Sequence, residues 1–373
     1  MRHGARAPEV MFKTGIEEYG ASTWSGSATA TGACSATTRA TPPSRSVVVV
    51  KVLSTSSNRT IMSAEATLAG LYPPSEQQRW SQTLDWQPVP VYSSLTIFPP
   101  CPVAEKIRSD VMVSETMRKF DRDNAEFYKF LSEKTGEDIA DANWVKNYVA
   151  DTLSAIHADP ETHKMPAWAT EEVYLKARHV TDVIYEEIMK SRVAVKLWGH
   201  AMFMDVRQRI SNIVSKKADP RLKLSIHCTH DAAISMLFAI VGAPPTPRPE
   251  FSGAAMLELY NSSAGELTLK LFFRKEPGDE AVELRMPRCG SPCTAKRFLD
   301  VTTFLETDDW RRDCGFKEDK VVAVALLPAI LIALLASCLT WFIAKSWFSK
   351  DSSRRTTSTT DNMQNGYLSI SKD

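Results

Sequence analysis

The segment Val47-Val48-Val49-Val50-Lys51-Val52-Leu53-Ser54-Thr55-Ser56-Ser57-Asn58-Arg59-Thr60-Ile61-Met62-Ser63-Ala64 passes from a β-branched run to a polar turn within a few residues. Residues 47–53 lack the polar alternation of a strand wetted on one face, so they predict a buried parallel strand. Residues 61–71 then carry apolar side chains at helical spacing and stop before Pro73-Pro74. Arg59 falls between the two elements. The same order recurs downstream, with a strand over 222–229, the pair His230-Asp231, and a helix over 232–241. In open α/β sheets, ligands lie at the carboxyl ends of strands, where helix N-termini present free N–H groups to anions. That geometry makes Arg59, His230 and Asp231 candidate residues of one anion site.

A third cluster stands at the start of the chain, Arg2-His3-Gly4-Ala5-Arg6-Ala7-Pro8. His3 is a candidate nucleophile, flanked by two planar, permanently charged guanidinium groups that can each take two phosphate oxygens. Gly4 allows a sharp turn beside the substrate.

The pattern Arg-His-Gly-x-Arg-x-Pro resembles the signature of the histidine acid phosphatases. Residues 54–64 are similar to that family's Ser-Thr-Asp-x-x-Arg-Thr-x-x-Ser-Ala segment, and Thr229-His230-Asp231 resembles its distal His-Asp pair. Further similarity at 68–74, 165–170 and around Cys289 and Cys293 extends the resemblance to about residue 315, toward members of the lysosomal and prostatic type. The resemblance implies an α/β fold with a central, mainly parallel sheet flanked by helices, an inserted helical domain and a C-terminal transmembrane helix. Residues 1–100 and 201–308 would form the catalytic domain, 101–200 the helical insertion over the site, 309–320 a stalk, 321–344 the membrane helix and 345–373 a cytoplasmic tail.

The same resemblance implies phosphomonoester hydrolysis at acidic pH through a phosphohistidine on His3. Arg2, Arg6, Arg59 and His230 would bind phosphate, and Asp231 would protonate the leaving oxygen; no metal or other cofactor is implied. It also implies disulfides Cys101–Cys314 and Cys289–Cys293, with Cys34, Cys228 and Cys338 expected to stay outside them. Disulfides place the domain in an oxidising lumen or outside the cell.

Three features depart from the family pattern. The strand and secretory signal that precede the motif in the family are not in the sequence as written, and an incomplete gene model is the expectation. Residues 25–46 hold no aliphatic side chain larger than alanine and cannot bury a helix face, as a mis-joined exon or an inserted flexible segment would read. Ser56 stands where the family segment has aspartate, which predicts a looser hold on Arg59.

With 45 Lys and Arg against 44 Asp and Glu, the net charge of +1 gives no electrostatic reason to expect nucleic acid as a partner. Residues 321–344 are 24 residues without a charge, about 36 Å of helix, enough to span a bilayer. Four Lys or Arg flank that stretch on each side, so the positive-inside rule is silent. The sequon Asn261-Ser262-Ser263 and the disulfides instead put residues 1–320 in the lumen, giving a type I protein of lysosome, endosome or cell surface. A second sequon, Asn58-Arg59-Thr60, contains a predicted ligand and is expected to be unmodified. In the tail, Tyr367-Leu368-Ser369-Ile370 resembles a sorting signal for clathrin adaptors; a homodimer is a further open expectation.

Between 103 and 215 the chain is charged and helical, with Ile107, Val111, Phe127, Phe130, Val145 and Val149 spaced for one-sided burial. Its aromatics Trp144, Tyr148, Trp168 and Trp198, and the histidines at 157, 163, 179, 200 and 227, read as structural. Residues 256–260 and 267–273 alternate as strands around a turn at 261–265. Two rival functions stand beside phosphomonoester hydrolysis: an inositol polyphosphate phosphatase, and a catalytically impaired, phosphatase-like membrane protein that binds a partner.

Overall fold

The computed structural model describes residues 49–95, 98–161, 163–244, 248–316, 328 and 330–347. His3, Arg2, Arg6, Cys34 and the tyrosine signal of the tail lie outside the described residues. The chain divides into two compact units, residues 1–316 and 317–373.

Strand β1 (Val49–Thr55) leads through a tight turn into helix α1 (Asn58–Leu71), as the valine run and the helical spacing predict. Strand β2 (Tyr92–Leu95) follows after a loop. A long helical passage comes next: α2 (Pro102–Met112), α3 (Glu115–Asp123), α4 (Ala125–Thr135), α5 (Ala142–Trp144), a π-helical turn (Val145–Ala150), α6 (Asp151–His157), α7 (Glu171–Met189) and α8 (Arg192–Val214). Strand β3 (Leu222–Cys228) then returns to the sheet and feeds α9 (Asp231–Val241).

Among the described residues β1 is the middle of a parallel sheet ordered β2-β1-β3. Its register pairs Val52 with Ile226, Leu53 with His227 and Ser54 with Cys228. Because side chains alternate faces along a strand, the sheet parts two cores. Val52, Ala64, Leu68 and Cys228 form a small cluster that clamps α1 onto one face. Leu53 instead joins the large core, in which Val145, Val149, Tyr174, Leu197, Trp198 and Met236 are buried. Trp198 is 1% exposed, and Trp144, Tyr148 and Trp168 are half-buried against the same core, so these aromatics are packing residues.

A second, antiparallel sheet holds β4 (Ala254–Asn261), β5 (Leu267–Arg274), β6 (Val282–Leu284) and the short β7 (Cys293–Thr294). The hairpin predicted around 261–265 pairs Tyr260 with Thr268 and Asn261 with Leu267. Helix α10 (Ala295–Val301) starts at Thr294, whose hydroxyl accepts the Arg297 N–H and caps the helix. Cys289 and Cys293 are joined, as are Cys101 and Cys314, which closes a loop of 213 residues. By chain entropy, a loop of that length is worth about 5 kcal/mol. Cys228 and Cys338 lie outside both bridges.

Residues 309–316 lie in the segment expected as a stalk. Helix α11 (Trp310–Asp313) packs on the body, with the Trp310 indole N–H donating to the Leu197 carbonyl at 2.8 Å and Lys196 paired with Asp313 at 2.9 Å. Cys314 is fully buried. The second unit holds one described helix, α12 (Ile330–Trp347), long and apolar enough to cross a membrane. The large apolar side chains of α12 are exposed along its length, from Ile330 to Trp347. Such a surface suits hydrocarbon surroundings. This helix runs three residues beyond the predicted end at 344, and residues 321–327 lie outside the described residues.

On the sheet face toward α8, Asp205 takes hydrogen bonds from the Lys51 ammonium at 2.5 Å and lies 2.9 Å from His227 Nε2. His227, expected as structural, thus ties β3 to α8, while Lys51 ties β1. The His227 hydrogen bond, with that of Lys51, outweighs burial and holds the Asp205 carboxyl down at about 2. The unfolded value is about 3.9, so the contribution is complete above that pH and fades as pH falls toward 2. Asp205→Asn is expected to lower Tm at pH 5, and the gap from the parent protein should narrow between pH 4 and pH 2. Thermal unfolding across pH 2 to 6 measures it.

Candidate active site

The register of β1 and β3 fixes the site. Ser54 and Cys228 are partners, so the turns that follow, 55–57 and 229–230, leave the sheet side by side. The first turn carries Arg59 into the start of α1. The second makes His230 the residue before α9 and Asp231 its first residue. Two helix N-termini therefore begin at neighbouring strand ends, each with N–H groups unsatisfied within its own helix.

Hydroxyl groups stitch the two turns together. Thr60 is fully buried, and its Oγ1 lies 2.9 Å from the Thr55 carbonyl, 2.8 Å from the Ser57 carbonyl and 2.8 Å from Thr55 Oγ1. Thr55 Oγ1 in turn lies 3.3 Å from His230 Nε2. Ser56, at the aspartate position of the family pattern, is exposed. The turn is organised through Thr55, Ser57 and Thr60 instead.

Asp231 has a fixed orientation. Its Oδ1 accepts the Ala232 N–H at 2.9 Å, and its Oδ2 accepts from Arg248 Nη1 at 2.8 Å. Arg248 is itself held from the other side, its Nε and backbone N–H donating to Asp182 Oδ1 at 3.0 and 3.2 Å. Its guanidinium carbon lies 5.4 Å from the Tyr185 ring centroid, and its carbonyl accepts from Arg178 Nη2 at 2.9 Å. Arg178 pairs with Glu250 and donates to the Tyr174 hydroxyl at 3.1 Å. Tyr174, Arg178, Asp182 and Tyr185 form one stripe on α7, at spacings of three and four residues.

Burial works against the charge of Arg248, but Asp231 with Tyr185 and Asp182 outweighs it and raises the guanidinium value. Lys146, on the π-helical turn, has its ammonium 5.3 Å from the same Tyr185 ring. Burial pushes its value down, opposed by Asp231 and reinforced by Arg248 and Arg108. Positive charge from two separate elements therefore gathers at the Asp231 carboxylate.

Of the residues singled out from sequence, the structure brings Arg59, His230 and Asp231 to adjacent strand ends. Arg2, His3 and Arg6 lie outside the described residues. Sequence reasoning missed Thr55, Thr60, Arg248, Asp182 and Lys146. A signal existed for Arg248: a charged residue held between Pro247 and Pro249, just before β4, needs a partner if it is buried.

Residues 42–274 match the family model described as "Histidine phosphatase superfamily (branch 2)". The chain is 28% identical over 309 residues to lysosomal acid phosphatase of Bos taurus, covering 78% of this chain and 71% of that protein. It is 26% identical over 285 residues to prostatic acid phosphatase of Bos taurus, covering 73% and 72%. Among solved structures, a phytase from Citrobacter braakii superposes with a TM-score of 0.59 at 12% identity, covering 84% of this chain and 97% of that one. The apo Hafnia alvei phytase gives 0.56 at 13% identity over 84% and 96%. At such identities the phytases share the fold alone.

Thr55→Val keeps the shape of the side chain and removes the hydroxyl facing His230. Losing one such hydrogen bond costs about 1 kcal/mol, so inorganic phosphate should bind roughly fivefold more weakly, as titration calorimetry would show.

Proposed function

The chain belongs to the histidine phosphatase superfamily, branch 2, and from that membership we propose that it is a membrane-anchored acid phosphatase that hydrolyses phosphomonoesters through a phosphohistidine. The observation that carries the proposal is the meeting of Arg59 with the His230-Asp231 pair at two adjoining strand ends. The acid phosphatases among its relatives, aligned over most of both chains, support the same activity. The inositol polyphosphate reading rests on the phytases, whose likeness is one of fold, and a net charge of +1 adds no basic character to it. The reading as a catalytically impaired binding protein has no support in Arg59, His230 or Asp231, all of which are present.

In the proposed reaction, His3 attacks phosphorus in line, a nitrogen–phosphorus bond forms and the bond to the leaving oxygen breaks. The proton for that oxygen comes from the Asp231 carboxyl, and the resulting carboxylate then takes a proton from the water that releases phosphate. Arg59 and His230, with Arg2 and Arg6 of the N-terminal motif, bind the equatorial oxygens. They offset the charge that a loose phosphoryl transition state spreads over those oxygens. Residues 1–320 face the lumen in this proposal, with the tail cytosolic and Tyr367 to Ile370 offered to clathrin adaptors. Lumenal exposure also makes Asn261, an exposed residue at the end of β4, an acceptor for N-glycan.

Two variants test the chemistry. His3→Ala should lose turnover by several orders of magnitude and incorporate no acid-labile ³²P from labelled substrate; a labelled variant would refute the nucleophile. Asp231→Asn should keep inorganic phosphate affinity while kcat/KM for an alkyl phosphate falls on the order of 10²-fold or more, and p-nitrophenyl phosphate, whose leaving group needs no proton, should suffer far less.

A further inference from the structure

We propose that Arg248 is a positioning residue which, tethered to Asp182, holds Asp231 by one oxygen and sets the pH range in which that carboxyl donates its proton. The proposal rests on the reading of Asp231 as the proton donor. It adds the group that governs it.

The geometry is that of a bridge. One guanidinium spans two carboxylates on different helices, Asp182 of α7 at 3.0 Å and Asp231 of α9 at 2.8 Å. The Arg248 side chain is 10% exposed and that of Asp231 13%, so water screens the pair little. Arg248 cannot swing away cheaply, because its backbone is also fixed. Its N–H donates to Asp182 and its carbonyl accepts from Arg178, while Glu250 N–H donates to the Lys275 carbonyl at 3.0 Å. Gly253 completes the turn, where a Cβ would stand 2.4 Å from the Lys275 carbonyl and 2.6 Å from Pro249 Cβ. The segment is thus pinned at several points so that one charged group reaches Asp231.

The charged and titratable groups around this carboxyl come from each element packed against it. His230 precedes it on its own element, Arg248 approaches from the segment before β4, and Lys146 acts from the π-helical turn. Asp182, Tyr185 and Arg178, all on α7, act on Asp231 through Arg248. A guanidinium within hydrogen-bonding distance favours the ionised form of a carboxyl by about 1 to 3 pH units. Arg248 therefore makes Asp231 a stronger acid, confines its protonated form to low pH, and stands ready for the negative charge that appears as the proton leaves. Asp182 tempers this, since it claims part of the same guanidinium.

The sign follows from the roles. Activity on a poor leaving group needs protonated Asp231 and is lost as pH rises through its titration. Removing Arg248 raises that titration and moves the alkaline limb upward. The test is kcat/KM against pH for an alkyl phosphate and for p-nitrophenyl phosphate, in the full-length detergent-solubilised protein, its Arg248→Met, Arg248→Lys and Asp182→Asn variants, and Asp231→Asn. For Arg248→Met the alkyl phosphate limb is expected to move up by about one unit or more, with the ratio of p-nitrophenyl to alkyl kcat/KM at low pH rising as the acid weakens. Arg248→Lys, which keeps a positive charge, should move the limb less than Arg248→Met, as should Lys146→Met. Should Arg248→Met fail to fold, Arg248→Lys and Asp182→Asn carry the test through the position of the limb. An unmoved limb in the variants that fold, with both substrates slowed equally, would overturn the positioning role and leave Arg248 as packing. Unchanged alkyl phosphate hydrolysis by Asp231→Asn would overturn instead the proton-donor reading on which the proposal stands.

Discussion

The parallel pairing of β1 with β3 is the constraint from which the site follows. Partners at Leu53–His227 and Ser54–Cys228 mean that both strands end at the same level. The chain must leave the sheet there twice, and each time it enters a helix. Two helix N-termini then begin at neighbouring strand ends, and Arg59 and His230-Asp231 are carried there with them. A slip of one residue would exchange the faces of every side chain on β3. Cys228 would leave the small core under α1, and His227 would lose Asp205 on the opposite face. The two cores thus enforce the register that brings Arg59 and His230-Asp231 to adjoining strand ends.

That arrangement was legible where local pattern and tertiary role coincide. The β-branched run at 47–53 announces a strand, and the apolar spacing over 61–71 and 232–241 announces helices packed on it. The 254–274 hairpin was visible because period-two alternation and a Gly-containing turn are both short-range signals. The anchoring of residues 309–316 is less legible. Half of residues 309–316 are charged, yet three long-range contacts tie the segment down: the Cys101–Cys314 bridge, the Trp310 indole on Leu197 and Lys196 on Asp313. Nothing in the local sequence reports a partner more than one hundred residues away. Arg248 is hidden by shorter separations, its two carboxylates lying 66 and 17 residues away at positions 182 and 231.

The Thr55–Thr60 link shows how a departure from a familiar motif can be absorbed. An aspartate at position 56 would have offered acceptors to the turn, and Ser56 offers less. Here the threonine hydroxyls fill the gap from within the turn, one buried at the helix start and one aimed at His230. A hydroxyl both donates and accepts, so it can serve a backbone carbonyl and an imidazole without adding charge beside the phosphate site. For the proposed anion site that matters, since a further carboxylate would repel a ligand drawn to Arg59 and His230.

The ionic network on α7 is harder to explain by stability alone. Burying Arg178 and Arg248 forfeits hydration, and their pairing with Glu250, Asp182 and Asp231 recovers that loss only when the geometry is good; well-packed apolar residues of similar size often serve a fold better. A network of this kind, running from the middle of a helix in the large core to the first residue of α9, has its justification at the end where the charge is used. In the proposed reaction Asp231 alternates between carboxyl and carboxylate, and each state needs an environment that does not reorganise slowly. Arg248, fixed by backbone and side chain alike, supplies a charge that stays in place while the proton moves. The helix N-terminus supplies the second, weaker support through Ala232 N–H. Orientation and charge are thereby set before substrate arrives, which is the economy that preorganised electrostatics offers a phosphoryl-transfer site.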